Sequence, residues 1–305
     1  NRMSLYLKYR PTDLTQMRGN DEVIASLEGM LGKPDSCPHS FLLHGPTGCG
    51  KTTIARIIAS KLNSSGSDLK EVDSADFRGI DTIREIRRTS EYMAMESDCR
   101  VWIIDECHKM TNDAQNALLK ILEDTPSHVY FVLCTTDPQK LLPTIKGRCV
   151  QLQVKVLDES QMFKLLRRVV AKEGATVSKE VYDVITRDSL GHPRNALQIL
   201  ERVLSVPEDK RIEVAQQSAA EQSQSIELCR ALLNKKPWGE VNKILVGLKD
   251  QEAESIRRVV LGYCQSVLLK SDMVRAGRVL EEFLTPFYDS GFPQLVYACY
   301  AVTKN

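Results

Sequence analysis

Short apolar runs that end in turn or polar residues recur through the first half of the chain, at Ser40 to His44, Leu69 to Val72, Val101 to Ile104, Val129 to Cys134 and Val150 to Val154. Runs of this length between turn signals predict buried strands. Between them lie stretches of helical spacing, at Thr52 to Leu62, Asp81 to Met93 and Asp113 to Leu122. The alternation predicts an α/β domain over 1–155, a parallel sheet covered on both faces. Beyond residue 155 the strand signals stop. Helix-period segments at Glu159 to Ala171, Lys179 to Ile185 and Asn195 to Leu204 predict a small helical domain over 156–206. The stretch Ser205 to Ser225, with Pro207 and the Gln/Ser/Ala-rich Gln216 to Ser225, reads as a boundary region. Amphipathic segments after it predict a third, all-α domain over 207–305.

A length of 305 residues accommodates two or three domains, each with its own core. The chain is 42% apolar and 27% charged with a formal net charge of +1, so it has no bulk attraction for polyanions. Any nucleic-acid contact has to come from a local basic patch. The nine cysteines are odd in number, scattered and without a C-x-x-C pair, which predicts reduced thiols in a cytosol-like compartment. The apolar strings are too short to span a bilayer and the N-terminus lacks the apolar core of a signal peptide, so a soluble, cytoplasmic protein is expected, with no membrane partner. His39, His44, His108, His128 and His192 show no metal-ligand spacing and read as structural.

The strongest chemical signal is Gly45-Pro46-Thr47-Gly48-Cys49-Gly50-Lys51-Thr52, placed between a predicted strand and a predicted helix. This is G-x-x-x-x-G-K-[ST] in the context that a phosphate-binding loop requires. Glycines let backbone N–H groups close around phosphates, and the helix N-terminus adds roughly half a positive charge. Lys51 would reach the terminal phosphates and Thr52 would bind Mg2+; Thr53 completes the nucleotide-binding run. Val101 to Ile104 then delivers Asp105 and Glu106 at the carboxyl end of a strand, where ligands bind in open parallel sheets. Asp105 is the expected partner of Mg2+, and Glu106 the residue that orients or deprotonates an attacking water. ATP and Mg2+ are therefore the expected ligands.

Several further strings are similar to those of the AAA+ replicative clamp-loader ATPases: replication factor C small subunits, bacterial gamma/tau subunits and their phage counterparts. They are Lys8 to Pro11, Arg78 to Asp81, Met110 to Leu118, Thr135 to Lys140, Gly147 to Cys149 and Gly191 to Leu197. The resemblance runs over most of Leu5 to Leu204. It implies an AAA+ domain, a helical lid and a helical C-terminal collar. It also implies an ATPase that opens a sliding clamp and places it on primer-template DNA within a ring, pentameric in this family, of clamp-loader subunits.

The same resemblance assigns roles by position. Tyr6, Tyr9, Arg10, Pro11 and Arg18 would border the adenine, although on composition alone this segment reads equally as a structural arm. Thr136 matches the first sensor, where replication factor C subunits tend to carry Asn. Arg148 matches the arginine finger of a Ser-Arg-Cys motif, here with Gly147 in place of Ser, and would project into a neighbouring subunit's site. Arg194 matches the second sensor. Gln115 matches a relay between the DNA-binding surface and Glu106. Lys120 and Glu123 either face a neighbouring subunit or form a solvated i,i+3 pair. The gamma/tau zinc module falls in an interval that here is only Asn63 to Lys70 without cysteine, so no zinc is expected.

Arg84, Arg87 and Arg88 recur at i, i+3 and i+4 and would form one basic stripe on a helix, with Arg78 before it and Lys109 nearby. Spacing alone is satisfied by a solvated face balanced by Glu85 and Glu91. The resemblance favours a DNA face that follows phosphates without reading bases. Two other readings stay open: a different AAA+ motor, such as a branch-migration helicase or a remodeller, and a non-hydrolysing stator subunit. The complete set Lys51, Thr52, Asp105 and Glu106 weighs against the stator.

Overall fold

Five strands, β1 (Ser40–His44), β2 (Leu69–Asp73), β3 (Arg100–Asp105), β4 (Val129–Thr135) and β5 (Val150–Gln153), pair in parallel in the order β2-β3-β4-β1-β5. The computed structural model describes residues 3–74, 80–249, 251–269, 271–287 and 290–304, apart from the side chains of 219–223 and 255. It divides into two units, Asn1–Val206 and Pro207–Asn305. The runs of β1, β3 and β4 lack visible alternation because both faces of the sheet are covered there, whereas the edge strands β2 and β5 stay partly exposed. Phe41, Leu43, Val101, Ile103 and Val132 join one core, while Leu42, Trp102, Ile104, Phe131 and Leu133 join the other.

The first core is closed by α2 (Asp21–Leu31) and α3 (Lys51–Lys61), through Val23, Leu27, Ile54, Ile57 and Ile58. The second is closed by α4 (Ile80–Ser90), α5 (Asn112–Glu123) and the short α6 (Pro143–Gly147), through Ile83, Ile86, Leu118, Ile121 and Ile145. A one-turn α1 (Leu5–Lys8) precedes them. Because every strand runs the same way, the loops after β1, β3 and β4 all leave one edge of the sheet. The order also places β1 between β4 and β5, the kind of switch point at which such sheets bind ligands.

Three helices follow β5: α7 (Glu159–Lys172), α8 (Lys179–Asp188) and α9 (Pro193–Leu204). Their starts are chemically marked. Asp158 and Gln161 form a reciprocal capping box on α7, Ser178 caps α8, and Pro193 occupies the first turn of α9. Gly191 is held at φ +81°, and a Cβ there would lie 2.3 Å from the Leu157 carbonyl, so the turn into α9 requires glycine.

The second unit is helical: α10 (Arg211–Leu233), α11 (Trp238–Gly247), α12 (Ala253–Leu268), α13 (Val274–Phe283) and α14 (Phe292–Lys304). The division between the units falls inside the boundary stretch Ser205 to Ser225, but helix starts earlier than the pattern suggested, because α10 runs through most of that stretch. The buried positions Ala215, Ser218 and Ser225 keep helical spacing with Leu228, Cys229 and Leu232, but their small side chains hide the period from a hydrophobicity pattern. Two buried arginines tie the bundle. Arg257 pairs with Glu254 at 2.6 Å and donates to the Phe283 carbonyl, and Arg275 donates to the carbonyls of Leu232 and Val302 at the ends of α10 and α14. Removing one member of a buried pair of this kind typically costs about 3–5 kcal/mol.

The interval between α3 and β2 is closed by Asp68, which is 1% exposed. Its carboxylate accepts from the backbone N–H groups of Met95, Glu96 and Ser97 at 2.9, 2.7 and 2.9 Å, and from Ser97 Oγ at 2.9 Å. This pins the turn that leads into β3, the strand that carries Asp105. Burial pushes the Asp68 pKa up, but the converging donors outweigh it and hold the group at about 2, below the ordinary 3.8. A depressed folded-state value means stability that is present above the ordinary value and lost as pH falls through the folded one. Asp68→Ala is expected to lower the unfolding free energy in urea by about 3 kcal/mol by orphaning these donors. The advantage of the native chain over Asp68→Asn should persist at neutral pH and shrink as pH falls from 3.8 towards 2.

Candidate nucleotide site

The loop between β1 and α3 is shaped by its glycines. A Cβ on Gly45 would lie 2.1 Å from the Val154 carbonyl, and Gly48 and Gly50 sit at φ +76° and +108°, so other residues would be strained at each position. The Gly45 N–H donates to the Thr135 carbonyl at the end of β4 (3.2 Å), which fastens the loop to the neighbouring strand. Lys51 is buried at the start of α3, and its ammonium donates to the Gly45 and Pro46 carbonyls, both at 2.8 Å. The cation thus lies inside the curl of the loop.

Thr52 Oγ1 donates to Asp105 Oδ2 at 2.7 Å, and the other Asp105 oxygen accepts from the Glu106 N–H at 2.9 Å. Glu106 takes φ +50°, and its carboxylate lies 3.2 Å from Lys109 Nζ and 3.7 Å from His108 Nε2. Thr136 is half-buried immediately after β4. Gln115 is buried on α5. It accepts from the Leu142 N–H at 2.9 Å and donates to the Met110 carbonyl at 3.2 Å, so it joins the segment after Glu106 to the segment after Thr136 without touching Glu106 itself.

Beside the loop lies a cavity of about 130 Å³, bordered by Tyr6, Tyr9, Arg10, Pro11 and Arg18 together with Gly48, Cys49, Gly50 and Thr53. Arg10 Nε donates to Thr53 Oγ1 at 2.9 Å. The Arg194 guanidinium stacks 5.0 Å from the Tyr6 ring centre and reaches the Tyr6 hydroxyl at 3.4 Å. Arg194 packs over Gly48, 3.6 Å from where a Cβ would stand, with His192 Nδ1 beside it at 4.0 Å. Both Arg194 Nε and His192 Nδ1 are buried without a hydrogen-bond partner. Burial holds the His192 pKa below its usual value, opposed by the Thr47 backbone and reinforced by the charge of Lys51.

These residues fit a nucleotide with its metal. The glycine loop is a backbone cradle, orphaned polar atoms converge over it, and Thr52 with Asp105 places a hydroxyl and a carboxylate together, hard oxygen donors that suit Mg2+. Among the described residues no cluster of three or more His, Cys, Asp or Glu side chains could hold a metal ion by itself. The far wall of the cavity includes Leu157, Leu165, Arg168, Val169, Lys172 and Leu197, which the sequence reading did not single out. The i, i+3, i+4, i+7 spacing of Leu165, Arg168, Val169 and Lys172 was the available signal.

The remaining candidates lie apart from this cavity. Arg148 is exposed and lies 3.4 Å from Glu123; it borders a separate hollow of about 420 Å³ with Leu122, Thr125 and Cys149. Glu123 therefore pairs with Arg148 and not with Lys120, and the i,i+3 alternative is not formed. Arg84, Arg87 and Arg88 are exposed on α4, opposite the buried Ile83 and Ile86. Arg84 pairs with Asp81 at 3.1 Å, whereas Arg87 and Arg88 make no ion pair among the described residues. Lys109 is engaged with Glu106, and Arg78 lies outside the described residues.

The sheet order, the glycine loop and the Thr52–Asp105 contact define an AAA+ nucleotide-binding fold. Solved structures of the Thermotoga maritima RuvB Holliday junction branch migration motor share it with a TM-score of 0.62 at 19% identity, over 79% of this chain and 85% of that one. A family model described as DNA polymerase III, delta subunit, matches residues 66–158. The DNA polymerase III subunit gamma/tau of Mycobacterium tuberculosis is 36% identical over 69% of this chain and 40% of its own length. The gamma subunit of Buchnera aphidicola from Schizaphis graminum is 32% identical over 67% of this chain and 62% of its own. Over about two thirds of its length the chain is thus similar to the DNA polymerase III gamma/tau subunits. It spans less than half the length of the mycobacterial relative.

Lys51→Ala removes the only cation held inside the loop by the Gly45 and Pro46 carbonyls. Titration with a fluorescent ATP analogue should show affinity lowered at least about tenfold, the scale of one charge-assisted phosphate contact. Circular dichroism should stay unchanged.

Proposed function

We propose that this chain is an ATPase subunit of a DNA-polymerase sliding-clamp loader, using ATP to open a clamp and place it on primer-template DNA. The observation that carries the reading is an intact site, Lys51 with the Thr52–Asp105 contact and Glu106 beside it, in a chain similar to the gamma/tau subunits. Likeness to the branch-migration motor extends to the fold, whereas likeness to gamma/tau subunits extends to a third of the residues over most of the chain. The stator reading would call for a damaged site.

In this reading the cavity bordered by Tyr6, Tyr9, Arg10, Pro11 and Arg18 takes the adenine. The loop amides and Lys51 take the phosphates, Arg194 closes over them, and Thr136 faces the reacting end. Thr52 and Asp105 would hold Mg2+, which neutralises phosphate charge during transfer to water. Glu106 accepts the proton of the attacking water. Arg148, which stands apart from its own subunit's cavity and faces outward, completes a neighbour's site in a ring of subunits, pentameric by analogy. Helices α7 to α9 act as a lid, and the 207–305 bundle as the collar that joins subunits. Arg84, Arg87 and Arg88 follow DNA phosphates, with Arg78 and Lys109 as further candidates, and Gln115 carries the state of that face towards Glu106. The expected setting is the cytoplasm.

Assembled with its partner subunits, the protein should hydrolyse ATP faster when primed DNA and a cognate clamp are added together. An unresponsive rate would sink the loader assignment. Arg148→Ala should retain nucleotide binding in its own subunit and depress turnover by about a thousandfold, the usual worth of an arginine supplied in trans. Loss of binding in the same subunit would place the arginine in cis.

A further inference from the structure

Glu106 is not the last residue in the chain of contacts that begins at the water-activating end of the site. His108, two residues on and only 10% exposed, places Nδ1 2.8 Å from Thr135 Oγ1 and Nε2 3.7 Å from Glu106 Oε2. Thr135 is fully buried at the end of β4, and its hydroxyl also accepts from the Asp137 N–H at 2.9 Å. One imidazole therefore stands between the acidic residue that follows β3 and the loop, containing Thr136, that follows β4.

The Glu106 carboxylate selects the tautomer. Thr135 Oγ1 keeps one lone pair free beside the Asp137 bond, so its hydroxyl can accept from Nδ1 or donate to it; donation leaves the hydrogen on Nε2, facing the carboxylate. The opposite tautomer would aim a bare nitrogen lone pair at that carboxylate. Burial lowers the His108 pKa, opposed by the nearby charge of Glu106, and Lys109, Lys140 and Asp137 also face the ring. The ring is anchored by its hydrogen bond at Nδ1 and turns Nε2 towards the Glu106 carboxylate at 3.7 Å.

We propose that His108 is a positioning residue for Glu106, fixing the direction of its carboxylate and coupling it through the Thr135 hydroxyl to the loop that carries Thr136. This rests on Glu106 being the base for ATP hydrolysis. The strained backbone at Glu106, φ +50°, aims the side chain, and His108 makes that aim depend on the neighbouring strand. A change at Thr136 or Asp137 would then reach the base through one ring.

The test uses the assembled complex with primed DNA and clamp, comparing His108→Ala, Thr135→Val and the double variant for turnover, its pH profile and affinity for a fluorescent nucleotide. Each single change should lower turnover about tenfold, the scale of a modestly misplaced catalytic group. The double variant should be no slower than the slower single one, because both cut one link. The acid limb of the pH profile should move in all three, with nucleotide affinity unchanged. His108→Asn, which preserves an acceptor for Thr135, and Thr135→Ser, which preserves the hydroxyl, should each recover part of the rate. Losses that multiply in the double variant, affinity that falls in step with turnover, or single variants with undiminished turnover would overturn the coupling. Glu106→Gln is measured alongside. If it turns over normally, the base assignment has failed, an outcome separate from any behaviour of His108.

Discussion

The hydrogen bond from Thr52 Oγ1 to Asp105 Oδ2 joins the ends of two strands that are not neighbours, since β4 lies between β1 and β3. It forms because α3 cannot move: Ile54, Ile57 and Ile58 are buried with Val101, Ile103 and Val132 in the core beneath that helix. The bond itself is worth about 1.5–3 kcal/mol as a charged hydrogen bond, small beside the burial that positions it. Its importance is geometric. Gly45, packed against the Val154 carbonyl and bonded to Thr135, sets where the loop leaves the sheet, and the position of Thr52 follows. A packed apolar interface thus fixes the distance between a phosphate cradle and two carboxylates.

The other wall of the site is assembled from the extremes of the first unit. Tyr6 lies beside both Arg10 and Arg194, with guanidinium carbons 5.7 and 5.0 Å from its ring centre. Such contacts contribute about 0.5–2 kcal/mol each, depending on how far they are desolvated. Lys8 and Tyr9 both reach Glu173 at the end of α7, and Asn20 exchanges two hydrogen bonds with the backbone of Lys155. The N-terminal segment therefore links α3 to the helices beyond β5. Closing the cavity and keeping those helices in place are two results of the same contacts.

Much of this was legible in the chain. Every described strand lay where a short run predicted it; in β1, β3 and β4 burial on both faces writes itself as continuous hydrophobicity, and the partly exposed edge strands β2 and β5 carry a weaker version of the signal. The phosphate loop was legible because glycine, lysine and threonine are needed at fixed offsets for steric and charge reasons. What escaped depends on tertiary neighbours. Asp68 reads as one more surface acid until the turn at 95–97 folds over it. Arg168 and Lys172 border the cavity through their place on α7, a neighbour that only the folded chain brings to the loop. The helical character of Gln216 to Ser225, within α10, was hidden because small residues allow close packing without a strong hydrophobic period. His108 carried no metal-ligand spacing, and its contacts come from a strand 27 residues away.

The two adjacent carboxylates are held in different ways. Asp105 spends both oxygens on fixed donors, the Thr52 hydroxyl and the Glu106 amide, and is thereby an anchor with its direction fully determined. Glu106 has instead looser charged or polar neighbours, Lys109 at 3.2 Å and His108 at 3.7 Å, and a left-handed backbone that costs a non-glycine residue roughly 1–2 kcal/mol. That conformation survives because Cys107, the next residue, is fully buried and the Lys109 amide closes a turn onto the Glu106 carbonyl at 2.9 Å. The two acids of one motif are therefore satisfied differently: Asp105 by a hydrogen bond at each oxygen, Glu106 by the turn that fixes its backbone.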